Sequence, residues 1–349
     1  MVAGQSQQVQ VQAYQATGTQ DGPPMIQVSN ASKIIDDKRI VDELNFEVKQ
    51  GEIFGFIGPS GSGKTSTIRL LTGVYEPTEG EVRVMGEIPS HPSRSVKERF
   101  GYMPQLFVLF PNLTVRENLN FVSGLYGMNP FTRRKRVDEL LRFVELWEAR
   151  DRVAVNISGG MQRRLELAAS LLHNPPLLFA DEPTAGIDPV LRGKFWEEFR
   201  RLRDEGRTIF VTTQYVGESE YCDRVGVIRK GHIVALDTPL ALRRQALGGD
   251  VVDFAADNLN GAALLNLMQL EGVKEVRPVS RTEARVYVDE AAAAIPVLLD
   301  ALSSSQCTVS RIEEYRPSFD EVFVELMKRD AATRGETEDG EEVADASST

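Results

Sequence analysis

Cysteine and histidine are scarce in this chain. Its 349 residues include two cysteines and three histidines. Cys222 and Cys307 lie far apart and match no metal or redox spacing, so the chain reads as a reduced, cytosolic protein without a disulfide framework. Long hydrophobic runs are missing too. No stretch approaches the ~18 consecutive apolar residues that a membrane helix needs. Met1 to Gln20 is Gln-rich and lacks the apolar core of a signal peptide. An excess of positive charge is also absent: the net charge of −11 argues against nucleic acid as the main partner. That deficit is uneven. Asp330 to Thr349 holds seven acidic residues and one basic, so it carries −6 and leaves −5 for everything else. The composition predicts a disordered acidic tail over 330–349 and a disordered polar tail over 1–24, which ends in Gly22-Pro23-Pro24.

What the chain does have is Gly58-Pro59-Ser60-Gly61-Ser62-Gly63-Lys64-Thr65. This reads G-x-x-x-x-G-K-[ST], a phosphate-binding loop. The required context surrounds it. Ile53-Phe54-Gly55-Phe56-Ile57 looks like a buried strand, and Thr65 to Thr72, with Ser66 in its first turn, looks like a helix. Glycines let backbone N–H groups approach phosphate closely, and the helix start adds partial positive charge. Lys64 would reach the β- and γ-phosphates, and Thr65 would place its hydroxyl on Mg²⁺.

Other strands are expected at Met25 to Ser29, Leu44 to Val48, Glu81 to Val84 and Phe100 to Met103, the last ended by Pro104 and followed by Gln105. Thr114 to Leu146 has a helical pattern. Ser158 is a good helix N-cap for Ser158-Gly159-Gly160-Met161-Gln162 and the apolar face beyond it. Leu177 to Glu182 is an apolar strand ending in two acids. Asp188 caps a helix over 190–205, and Thr208 to Thr213 is a buried strand leading to Gln214. Composition shifts at about Arg243 to Asp250. Beyond it the elements run strand 251–255, helix 259–270, strand 273–279, strand 284–288, helix 291–303 and strand 309–315, the βαββαβ order of a ferredoxin-like unit. A last helix is expected from Phe319 to Lys328. The organisation is thus an α/β domain over 25–245 that carries the phosphate loop and a small α+β domain over 250–329.

This set of motifs resembles the nucleotide-binding subunit of an ATP-binding cassette (ABC) transporter. Gly58 to Thr65 is similar to Walker A, Gln105 to the Q-loop, Ser158 to Gln162 to the signature, Asp181 and Glu182 to the end of Walker B, and Ala185 to Asp188 to the D-loop. The wording Ser-Gly-Gly-Met-Gln-Arg-Arg-Leu-Glu-Leu-Ala looks like the branch that exports drugs, polysaccharides and lipids. Pro317 to Phe323 is similar to the C-terminal extension of bacterial drug-resistance ATPases.

The resemblance implies an ABC-type P-loop ATPase with a helical subdomain, binding ATP and Mg²⁺. Asp181, Thr65 and Gln105 would hold the metal, and Glu182 would orient and polarise the attacking water. Ser158, Gly159, Gly160, Gln162 and Asp188 would meet the nucleotide of a second subunit in a head-to-tail dimer. A separate permease would be the membrane partner, placing the chain on the cytoplasmic face of the membrane. Two positions depart from the family pattern. Ile35 stands about where an aromatic ring usually stacks on adenine, and Gln214 stands in place of the switch histidine. The rival expectations are a soluble ABC ATPase and a slow-turnover, nucleotide-dependent regulatory subunit. Only 115 residues separate Thr65 from Asp181, too few for the coiled-coil insertion of repair types.

Overall fold

The computed structural model describes residues 22–92, 96 and 99–334. The first 21 residues of the expected polar tail, and 335–349 of the expected acidic tail, lie outside the described residues.

The strand before the glycine loop, β3 (Ile53–Ile57), is buried at every position because helices and a second sheet cover both its faces. It lies inside a six-stranded sheet of order β5-β6-β7-β3-β8-β9, made by β5 (Phe100–Met103), β6 (Leu177–Asp181), β7 (Thr208–Thr213), β8 (Arg224–Arg229) and β9 (His232–Asp237). All neighbours are parallel except the β8–β9 hairpin. Consequently β6, β7 and β3 end side by side, and the segments leaving them share one edge of the sheet. Such an edge is where open α/β sheets bind ligands.

A three-stranded antiparallel sheet, β2-β1-β4, packs on one face. Phe46 from β2 (Lys38–Val48) stacks on Phe54 of β3 at 5.6 Å and lies 6.1 Å from Phe210 of β7. β1 spans Ile26–Ile35 and β4 spans Glu79–Val84. The first two strands are longer than their apolar cores suggest. Asp36 and Asp37 both adopt left-handed backbone (φ 49° and 61°), so the hairpin closes in two residues. Aspartate tolerates that conformation better than most residues.

Among the described residues the longer helices of the cassette are α1 (Lys64–Leu71), α2 (Val115–Leu125), α3 (Pro130–Phe143), α4 (Gly159–Ser170), α5 (Pro189–Asp204) and α6 (Pro239–Leu247). The helical pattern over 114–146 divides in two. Thr114 and Glu117 form a reciprocal capping box at α2, whereas Asn129 caps α3 with Pro130 at its first position. The composition shift near Arg243 does not mark a linker. Helix α6 runs through it, from the Thr238 cap to left-handed Gly248.

The C-terminal unit comprises β10 (Asp250–Asp257), α7 (Gly261–Met268), β11 (Val273–Pro278), β12 (Glu283–Val288), α8 (Ala291–Ser304) and β13 (Thr308–Tyr315). Its antiparallel sheet has the order β11-β12-β10-β13, with β10 and β12 central. It has its own core, built on Val252, Phe254, Val286, Leu298 and Leu302. The last helix, α9 (Phe319–Thr333), leaves this unit and lies on the cassette. Phe319, Val322 and Leu326 are buried in the same cluster as Leu242, Ala246 and Val225. The helix continues past Lys328, so residues 330–333 are helical rather than part of an acidic tail. The reason is that the Asp330 carboxylate has partners on the β8–β9 hairpin.

Candidate active site

The phosphate loop is fixed from both ends. Gly58 N donates to Thr213 O at 3.3 Å, at the end of the neighbouring strand β7. A methyl group on Gly58 would come within 2.2 Å of Ile228 O, so only glycine fits against β8. Gly63, which precedes α1, has φ 106° and faces Ile40 O at 2.9 Å from where its Cβ would stand. Pro59, Ser60 and Gly61 form the exposed rim of the loop, and Thr65 and Ser66 are half-buried in the first turn of α1. The Ser62 hydroxyl is buried without a hydrogen-bond partner among the described residues. An orphaned donor in a glycine loop at a helix N-terminus is the feature an anionic phosphate oxygen would satisfy.

Lys64 is 4% exposed. Its Nζ donates to Gly58 O at 2.8 Å and Pro59 O at 2.9 Å and lies 3.3 Å from Glu182 Oε1. Thr65 Oγ1 is 3.5 Å from Asp181 Oδ1. Thr212 Oγ1 donates to the same oxygen at 2.5 Å. Burial pushes the Asp181 carboxyl above its ordinary value, while the hydroxyls of Thr212 and Thr65 oppose the shift. A nearby cation would favour the charged form of this carboxylate. Among the described residues, no three His, Cys, Asp or Glu side chains form a self-contained metal cage. One carboxylate, one hydroxyl and an amide suit Mg²⁺, which normally completes its shell with water and phosphate oxygens.

Glu182 sits one residue beyond β6 with left-handed backbone, φ 46°. Its N–H donates to Thr212 O at 3.0 Å and approaches Thr212 Oγ1 at 3.1 Å. Gln105 Nε2 donates to Glu182 Oε2 at 3.0 Å. The structure therefore brings Lys64, Thr65, Asp181, Glu182 and Gln105 into one cluster. Gln214 is exposed, one residue past β7, at the same sheet edge beside Gly58.

The other expected residues lie apart from this cluster. Ser158 Oγ accepts from Met161 N at 3.3 Å and caps α4. Ser158 and Gly159 are exposed, while Gly160 packs against the end of the Leu191 side chain, which a methyl group there would displace. Gln162 Nε2 donates to Ala154 O at 3.0 Å, inside its own cassette. Exposed Asp188 caps α5 by accepting from Leu191 N at 3.0 Å. Ile35, half-buried, ends β1 opposite Lys38 and presents no ring. Sequence reasoning missed Thr212, Arg163 and Glu166. Arg163 and Glu166 are opposite charges three apart within an otherwise apolar helix face, and that was the available signal.

A fold with a glycine loop on β3, paired acids after β6 and a capped glycine pair opening α4 defines a P-loop ATPase of the cassette type. Residues 41–185 match the family described as ABC transporter, and residues 238–327 match the ATP-binding protein DrrA1-3-like C-terminal domain. The linearmycin resistance ATP-binding protein LnrL of Bacillus subtilis (strain 168) is 33% identical over 309 residues, covering 87% of this chain and 99% of that protein. The probable multidrug ABC transporter ATP-binding protein YbhF of Escherichia coli (strain K12) is 37% identical over 232 residues, 66% of this chain. The match spans only 40% of YbhF. Among solved structures, a dimeric ATP-binding cassette bound to ADP and Pi is 27% identical with a TM-score of 0.56, over 61% of this chain and 98% of that one. The chain belongs to the ATP-binding subunits of ABC transporters.

Proposed function

We propose that this chain binds and hydrolyses ATP to drive a membrane exporter, as one half of a head-to-tail nucleotide-sandwich dimer. The observation that carries the reading is the convergence of Lys64, Glu182 and Gln105 within hydrogen-bond or ion-pair distance at the mouth of the phosphate loop. Gly58 to Ser66 would hold the phosphates. Lys64 would neutralise charge that develops on the γ-phosphate, and Glu182 would polarise the attacking water for in-line displacement. Thr65, Asp181 and Gln105 would hold Mg²⁺, which when bound neutralises phosphate charge as the leaving group departs. The exposed Ser158-Gly159 helix start and exposed Asp188 support the second half of the reading. Neither serves the cluster in its own chain, and both are free to face a partner's nucleotide.

An apolar groove supports a permease partner. About 290 Å³ in volume, it is lined by Tyr102, Pro104, Val108, Leu109, Val122 and Tyr126, immediately beside Gln105. Leu106 and Leu125 flank it, 75% and 73% exposed. Exposed leucines flanking an apolar groove are what a protein contact would cover. Among the described residues no helix is long and apolar enough to cross a membrane, so the reading assigns the spans to a separate subunit and the chain to the membrane surface. The relatives' names put resistance compounds among candidate cargos.

The test is Glu182→Gln and Lys64→Ala in the full chain with Mg·ATP. Glu182→Gln should bind ATP, dimerise and stall, and Lys64→Ala should lose ATP affinity. Glu182→Gln turning over at the wild-type rate would overturn the assignment. A slow-turnover subunit is the second reading, favoured by Gln214 at the sheet edge.

A further inference from the structure

The guanidinium of Arg163 stands where three segments of the cassette meet. It is 8% exposed, in the first turns of α4. Nη1 donates to Pro104 O at 2.7 Å and to Glu166 Oε2 at 2.9 Å. Nη2 donates to Gln105 O and reaches Glu182 O at 3.4 Å. Glu166, 2% exposed, uses its other oxygen to accept from Val108 N at 3.1 Å. The pair thus grips both ends of the Pro104–Val108 loop, which walls the apolar groove, and joins that loop to the backbone of Glu182.

That backbone needs holding. A left-handed conformation at a non-glycine residue is strained and persists only where the surroundings impose it. Thr212 fixes the N–H of Glu182, while its carbonyl accepts from Ala185 N at 3.1 Å and, as a second and longer contact, from Arg163 at 3.4 Å. The Glu182 carboxylate swings on this peptide, so a shift of the carbonyl re-aims the group. A guanidinium is a rigid planar fork, so the three carbonyls it reaches, those of Pro104, Gln105 and Glu182, are tied to one another. Burial pushes the Glu166 carboxyl up, and the hydrogen bond and charge of Arg163 oppose that shift.

We infer that Arg163, braced by Glu166, is a positioning residue that aims Glu182 and carries displacement of the Pro104–Val108 loop to it. The inference rests on the reading of Glu182 as the water-polarising group. It extends that reading by making a buried pair on the signature helix the mechanical link between the groove and the hydrolytic carboxylate.

Steady-state hydrolysis by the full chain with Mg·ATP tests it, with Glu182→Gln measured in parallel. Normal turnover by Glu182→Gln would fail the underlying reading by itself, whatever Arg163 does. With Glu182 intact, Arg163→Ala should lower kcat about tenfold while KM for ATP stays within about twofold, because orientation is lost and binding is not. Added ethylguanidinium should restore part of that kcat, and should do nothing for Glu182→Gln. A wild-type kcat in Arg163→Ala, or a loss that ethylguanidinium leaves untouched, overturns the inference. If Arg163→Ala does not fold, Arg163→Lys decides. It keeps the charge beside Glu166 but cannot bind two carbonyls in a fork, so a reduced kcat at unchanged KM is expected and a wild-type kcat overturns the inference.

Discussion

Asp330, near the end of α9, places its carboxylate 3.0 Å from His232 Nε2 and 2.9 Å from Arg229 Nη1, joining the last described helix to the β8–β9 hairpin of the cassette. Burial pushes the Asp330 carboxyl up, but hydrogen bonds from His232 and Arg229 outweigh it and hold the group below its ordinary value. A lowered folded-state value stabilises above the unfolded value of about 4, and that stability is lost as pH falls through the lowered one. Asp330→Asn should therefore cost about 1–2 kcal/mol at neutral pH, part of the attraction being screened by solvent. The gap in unfolding midpoint from wild type should narrow below about pH 4. A gap constant across pH would refute the pairing.

The apolar side of the same helix contributes more. Phe319 is 1% exposed and packs with Leu242 and Ala246. Phe319→Ala should destabilise the cassette by about 3–5 kcal/mol, through lost burial and the cavity left behind. A chain ending at Leu247 should consequently show a lower Tm and bind the apolar dye ANS, even though the unit over β10–β13 has a separate core. Unaltered melting of the truncated cassette would show that α9 only rests on its surface.

Glu198 on α5 is a strongly perturbed carboxyl. Burial raises it to about 7; Arg164 opposes and Glu145 reinforces the shift, with Arg201 and Lys194 opposing more weakly. Its Oε2 has no hydrogen-bond partner among the described residues. A raised folded-state value means that its contribution is fully present below about pH 4.5 and is lost as pH rises through about 7. Glu198→Gln should thus be close to neutral at pH 5 and more stable than wild type at pH 8, by up to about 3 kcal/mol. Denaturant midpoints at the two pH values check this, and equal differences would refute the assignment.

Thr212 holds both acids, donating to Asp181 Oδ1 and facing the N–H of Glu182. Thr212→Val keeps the shape and removes the hydroxyl. Turnover should fall about tenfold or more, since a small misplacement of reacting groups is costly. The Mg²⁺ concentration for half-maximal rate should rise. A variant with unchanged rate and unchanged Mg²⁺ dependence would make the hydroxyl dispensable.

The loop from Gly58 to Thr65 and the acids at 181 and 182 were legible because each is a local pattern whose neighbours in sequence are its neighbours in space. The βαββαβ order of the C-terminal unit was legible for the same reason: strand and helix periodicities are local. Pairings across the fold were not. Arg163 meets Pro104 and Gln105 from nearly sixty residues away, and Asp330 meets His232 from 98, with nothing in either segment to mark the other. Asp330 was read with the charged stretch by composition, which sees solvent where the fold supplies it a histidine and an arginine. Helix α6 was hidden because the composition shift at Arg243 falls inside it. Gln162 reads as part of a glycine motif facing phosphate; in the fold its Nε2 also donates to Ala154 O, a carbonyl that no spacing rule connects to it.

Gln214 supplies the last prediction. It stands exposed one residue beyond β7, between the acids after β6 and the glycine loop after β3. The three histidines of the chain, His91, His173 and His232, all lie elsewhere. A histidine at this edge can donate a hydrogen bond to the γ-phosphate and carry positive charge as negative charge develops. A glutamine amide can donate but stays neutral and accepts no proton. Losing a preorganised donor costs about 10²–10³ in rate at such sites; Gln214 retains the donor, so the expected deficit is smaller, about tenfold. Gln214→His should raise turnover several-fold and shorten the life of the ATP-bound dimer, while Gln214→Ala should lower turnover further. Single-turnover hydrolysis and dimer dissociation, measured for the three proteins under one set of conditions, separate the chemical effect from altered ATP binding. Equal turnover in all three would make the position a spectator and leave the chemistry to Glu182.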